Sequence, residues 1–145
     1  MERRSLVLAV CWDRDSWNDS AMVGDEARVV QAFCVWLAEH GWHTQLEVEH
    51  VDVVADRGNQ RLYAEAKGRT AALGLDVDTL YGQLLRRMPT DQVGRAVFAV
   101  VVPDSAVKTA ERVPVRVREL LGIEIYGVDD VGAVHRAGPA PNPLD

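Results

Sequence analysis

Hydrophobic positions change their spacing several times along the 145-residue chain, and each change marks an element. Residues 5–11 form a short apolar run that reads as a buried strand. The polar stretch 13–20 reads as a loop, and Ser20 at its end is a helix-capping type. From 21 to 40, Val23, Ala27, Val30, Phe33 (or Cys34) and Leu37 recur every three or four residues. That is the mark of an amphipathic helix, stopped at Gly41. Residues 42–55 shift toward a period of two with β-branched side chains, which predicts one bent strand or two short ones. Asp56-Arg57-Gly58-Asn59-Gln60 has turn composition and leads into a strand at 61–67, giving an antiparallel hairpin. A helix is expected at 76–88, ended by Pro89. Residues 96–102 are an unbroken apolar run, as in a central strand buried on both faces. Residues 105–121 read as mostly helical with a break at Pro114, and 123–128 as a last strand.

The resulting order, β-α-β-β-α-β-α-β, predicts a three-layer α/β/α domain with a central mixed β-sheet over residues 1–137. The Pro-rich stretch 138–145 is expected to be a loose tail. No Gly-rich loop joins the first strand to its helix and no GK[ST] occurs, which excludes a dinucleotide-binding or P-loop reading. An apolar share of 48% excludes a disordered chain. The longest apolar runs are far too short to span a bilayer, so no membrane association is expected. Arg3 and Arg4 before an apolar run resemble the start of a signal peptide, but Trp12-Asp13 follows with no small-residue cleavage site. Cys11 and Cys34 form no CxxC, and a reduced, cytoplasmic setting is expected.

A net charge of -6 argues against indiscriminate binding to nucleic acid, yet the charge is unevenly laid out. Residues 1–55 carry 4 Lys+Arg against 10 Asp+Glu, residues 56–118 carry 11 against 7, and residues 119–145 carry 1 against 5. A basic island thus lies between acidic ends, and a polyanion would be met there.

The chemistry concentrates in the hairpin. Glu65 and Lys67 are two apart on a strand and leave by the same face. Asp52 lies on the partner strand, where cross-strand pairing can bring its carboxylate near Glu65. Two adjacent carboxylates repel, and a divalent cation is one common resolution; oxygen ligands with retained waters suit Mg²⁺ or Mn²⁺. An ammonium beside them can orient a hydroxide or steady charge developing on a phosphate. These are parts for metal-assisted phosphodiester hydrolysis.

The spacing Asp52-x12-Glu65-x-Lys67 on a hairpin, behind a helix opened by Gly24-Asp25-Glu26-Ala27, resembles the PD-(D/E)XK nuclease superfamily. That superfamily includes restriction enzymes, Mrr-like enzymes and Holliday-junction resolvases; the small resolvase-like and Mrr-like members are the most similar. The resemblance covers about residues 24–102 and implies a restriction endonuclease-like fold. It further implies that Asp52 and Glu65 bind metal, that Lys67 positions the nucleophile, and that Glu26 completes the metal site. Gln83 matches a glutamine that several subfamilies place on the helix after the Glu-x-Lys strand. Val51 stands where a proline is usual, and Arg87 stands where one subfamily has a tyrosine four residues after the glutamine. Glu26 also suits a helix dipole, and Gln83 a solvated helix position.

The expected function is therefore a Mg²⁺-dependent deoxyribonuclease. Arg86 and Arg87, and Arg57, Arg61 and Arg69 around the hairpin, are candidate phosphate contacts. The alternatives are a catalytically silent nuclease-like module for binding or assembly, and an RNA-directed nuclease. So short a chain grips little duplex, so a homodimer or a partner supplying target choice is expected. His50 shares a strand face with Asp52 by alternation. His40 and His43 read as capping or surface residues, and the four tryptophans as core or rim. No GxSxG or Cys-His signature points to a side-chain nucleophile.

Overall fold

The first described helix ends where the chain offers a residue able to turn left-handed. The computed structural model describes residues 24–48, 51–69, 71–90 and 96–138. Helix α1 (Gly24–Glu39) closes on Gly41, whose φ is 82°. Trp42 N–H bonds the Leu37 carbonyl at 2.9 Å and Gly41 N–H the Ala38 carbonyl at 3.2 Å, a Schellman closure. Trp42 and Leu37 then share the same apolar cluster. The buried stripe of α1 runs through Val29, Phe33, Cys34 and Leu37; Val30, expected within it, lies half-buried at its margin.

Residues 42–55 resolve into two strands, β1 (His43–Val48) and β2 (Val51–Arg57), paired antiparallel. A two-residue turn at Gly58 and Asn59, with Gly58 at φ 60°, joins β2 to β3 (Gln60–Ala66). Helix α2 (Leu73–Arg86) begins a turn earlier than its polar start at Asp76 suggests, because Leu73 packs against the sheet. The unbroken apolar run is β4 (Ala96–Pro103). Pro114 divides the next segment, as expected, into α3 (Val107–Ala110), preceded by a 3-10 turn at Asp104–Ala106, and α4 (Val115–Leu121). Strand β5 (Ile123–Val128) follows, then β6 (Val134–Ala137), which hydrophobic spacing did not reveal.

Among the described residues the sheet has six strands in the order β1-β2-β3-β4-β5-β6. β3, β4 and β5 run parallel to one another; the remaining neighbours are antiparallel. Alternation along β3 and β4 feeds two cores. Leu62, Ala64, Val97, Ala99 and Val101 face α1, whereas Tyr63, Phe98, Val100 and Val102 face α2 and α3. Helices thus flank both faces of a mixed sheet, the three-layer arrangement expected. Each fully buried Val, Leu or Phe contributes roughly 1.5–3 kcal/mol of transfer free energy. The expected strand at 5–11, with Cys11, Trp12 and Trp17, and residues 139–145 lie outside the described residues. No described helix is long and apolar enough to cross a membrane.

Candidate active site

The expected site residues converge at the carboxyl end of β3, where β2 stops pairing with it. The antiparallel register runs from Arg57–Gln60 to Val53–Ala64. One step further the register would set Asp52 opposite Glu65. There Asp52 Oδ2 instead accepts the Ala66 N–H at 2.9 Å, a side chain standing in for a ladder bond. The same hydrogen bond fixes the Asp52 carboxylate beside Glu65.

Glu65 is 1% exposed, on the α2 face of the sheet. Burial pushes its carboxyl up to about 7, opposed by the hydrogen bond from Arg87 and reinforced by the charge of Asp52. Arg87 Nη1 lies 2.5 Å from Glu65 Oε1. Arg87 caps the carboxyl end of α2, four residues after Gln83, so the two share a helix face continuing the buried stripe of Leu80 and Leu84. Gln83 is half-buried at that edge.

Lys67 lies just past the end of β3, where its N–H bonds the Val101 carbonyl at 3.0 Å. Its ammonium sits 3.9 Å from Glu26 Oε1, a loose pair in which both side chains are partly exposed. Glu26 is raised by burial and by the charge of Asp52, against the pull of Lys67. Glu26, Asp52, Glu65, Lys67 and Arg87 therefore form one electrostatic cluster. Gly68 explains how α1 reaches it. A Cβ at Gly68 would meet Glu26 N at 2.5 Å, so only glycine lets the chain pass over the start of α1. Asp25 Oδ2 accepts the Arg69 N–H, and Arg28 binds Asp25 at 3.2 Å and the Asp129 carbonyl at 2.7 Å, locking this junction.

The arginines expected around the hairpin separate. Arg61 is four residues up β3 from Glu65, about 13 Å away along the strand. It pairs with Asp56 at 3.5 Å, and Arg57 lies 4.4 Å over the Trp42 ring with Nη1 3.0 Å from the His40 carbonyl. Both belong to the turn end of the hairpin, away from the carboxylates. Arg69 is paired with Asp130 beside the site, and Arg86 is exposed at the end of α2. His50 lies outside the described residues.

Two features escape a reading of spacing alone: the partnership of Arg87 with Glu65, and the docking of Asp25 and Gly68. The i, i+4 relation of Gln83 to Arg87 was the available signal for the first. For the second it was a glycine directly after Lys67.

Among the described residues no three His, Cys, Asp or Glu side chains are gathered to hold a metal ion unaided. The donors present are nevertheless of the kind Mg²⁺ takes, since it binds through one or two carboxylates and keeps several waters. Asp52 and the buried Glu65 are oxygens of that kind; Glu65 is raised chiefly by burial, with the charge of Asp52 adding to it.

No protein-family model and no curated protein matches the chain. Two solved structures are similar. An XisH family protein from Nostoc punctiforme is 18% identical, with a TM-score of 0.50, over 77% of this chain and 99% of that one. An fdxN element excision controlling factor protein from Anabaena variabilis is 17% identical, with a TM-score of 0.53, over 74% and 95%. At these identities the likeness is one of fold.

Proposed function

We propose that this chain is a Mg²⁺- or Mn²⁺-dependent nuclease of restriction endonuclease-like fold, hydrolysing phosphodiester bonds of DNA. The observation that carries the reading is the meeting of Asp52 and Glu65 at the end of β3, with Lys67, paired to Glu26, just past the same strand end. The bound cation would supply Lewis-acid stabilisation of the phosphoryl oxygens. Asp52 and Glu65 would hold it, with Glu26 and the Ala66 carbonyl as further oxygens. Asp52 is fixed by Ala66 N–H, so its carboxylate is preorganised. Lys67 donates to the attacking water and orients it toward phosphorus. Hydrolysis then adds water across one P–O bond: the water gives up a proton and the leaving oxygen gains one. A homodimer or a separate partner would supply target choice.

Nicking of supercoiled plasmid and cleavage of single-stranded DNA and RNA, with Mg²⁺, Mn²⁺ or EDTA, test this reading. Metal-dependent cleavage should appear in the wild type and fall by about 100-fold or more in Lys67→Ala. Absence of cleavage on every substrate with either metal, and of calorimetric metal binding, sinks it. One observation favours the second reading, a silent module for binding or assembly: Glu65 already has a cation in Arg87. A silent module would bind nucleic acid with no dependence on Asp52 or on metal.

A further inference from the structure

We propose that Arg87 is an exchangeable counter-ion: its guanidinium holds Glu65 while the site lacks a divalent cation and yields that carboxylate when one arrives. The inference rests on the metal-site reading above and concerns how that site is loaded. Two ion pairs, Lys67 with Glu26 and Arg87 with Glu65, flank Asp52, whose charge acts on both carboxylates. Arg87 is the cation in direct contact with the buried Glu65. With Arg87 in place, an incoming dication meets a guanidinium 2.5 Å from the oxygen it needs. Both cannot sit on that oxygen without strong repulsion.

Which partner moves follows from where each is anchored. Glu65 is 1% exposed and lies on β3, an inner strand of the described sheet, in register with Val100 of β4. The Arg87 side chain is 30% exposed and springs from the cap of α2, so it has a path to solvent. Once released, its fork of N–H donors lies at the edge of the site, suited to bidentate contact with a phosphate. Metal loading would thereby create a phosphate contact that the metal-free protein holds closed.

The test is titration of the metal-stripped full chain with Mn²⁺ by calorimetry, for the wild type, Arg87→Met, Arg87→Gln and Asp52→Asn. Arg87→Gln keeps a neutral donor for Glu65 and guards against loss of the fold. Both Arg87 variants should bind Mn²⁺ about tenfold more tightly than the wild type, the scale of one charged hydrogen bond. Mn²⁺ should also raise their melting temperatures further than it raises that of the wild type. Binding by the variants alone would support the exchange in its strongest form. Equal or weaker binding by them, with wild-type binding lost in Asp52→Asn, overturns the exchange and leaves the metal site standing. No binding by the wild type or either Arg87 variant overturns both.

Discussion

At the scale of single residues, Glu65 ties stability to pH in a direction opposite to that of most ion-paired carboxylates. Its folded-state carboxyl stands near 7 against an ordinary 4.5, with burial the main cause. The folded chain therefore holds a proton that the unfolded chain releases first. This contribution favours folding fully below about pH 4.5, fades as pH rises toward 7, and is gone above it. The span is worth at most about 3 kcal/mol. Glu26 is shifted in the same direction. In urea denaturation without metal, the wild type should lose stability between pH 5 and pH 8 relative to Glu65→Gln, whose amide has no proton to lose. A difference between the two proteins that stays constant across that range would mean that Glu65 is ionised throughout, held so by Arg87.

At the scale of elements, the site depends on one close approach: the chain leaving β3 crosses the start of α1 at Gly68. Its missing side chain leaves room for Glu26 N, which a Cβ would meet at 2.5 Å. Gly68→Ala should cost roughly 1–3 kcal/mol, since the backbone of α1 must shift to admit the methyl group. It should also lower metal-dependent cleavage, because Glu26 and Lys67 sit on either side of the crossing. Gly82→Ala is the matched control. It lies inside α2 with the mobile tip of Arg86 nearest, at 3.6 Å, and should be neutral or stabilising by up to about 1 kcal/mol. Urea denaturation of the two variants checks the contrast, and a neutral Gly68→Ala would show that α1 is free to move there. Elements whose burial is one-sided or complete were legible beforehand: α1 to Gly41, the hairpin, β4 and β5. β6 was not, because Val134, His135, Arg136 and Ala137 are a short segment with little apolar contrast, last in the order of the described strands. Within the site, the Asp52, Glu65 and Lys67 set is local to one hairpin and so written in the spacing. The Arg87 contact joins residues 22 apart through the packing of α2 on the sheet, which the spacing within the hairpin does not encode.

At the scale of the whole molecule, folding disperses the basic island of residues 56–118. Arg57 and Arg61 go to the turn end of the hairpin, while Lys67, Arg69 and Arg87, with Arg86 beside it, gather at the opposite end of β3. A nucleic acid whose backbone reaches Asp52 and Glu65 passes the second group and has no reason to meet the first. Arg86 is exposed at the end of α2, so Arg86→Ala should leave stability within about 0.5 kcal/mol of the wild type. It should weaken DNA binding and reduce the slope of log affinity against log salt by about 1. Arg57→Ala should do the reverse. It removes a guanidinium lying 4.4 Å over Trp42 and bonded to the His40 carbonyl, at a cost of about 0.5–1 kcal/mol of stability, with affinity and salt slope unchanged. Fluorescence anisotropy on a duplex over a range of salt, with Ca²⁺ in place of Mg²⁺ to hold back cleavage, measures both variants under one condition. If Arg57→Ala weakened binding and Arg86→Ala did not, DNA would lie along the turn end of the hairpin. The carboxylates at the far end of β3 would then be a structural charge cluster, and the metal-dependent reading would lose its substrate.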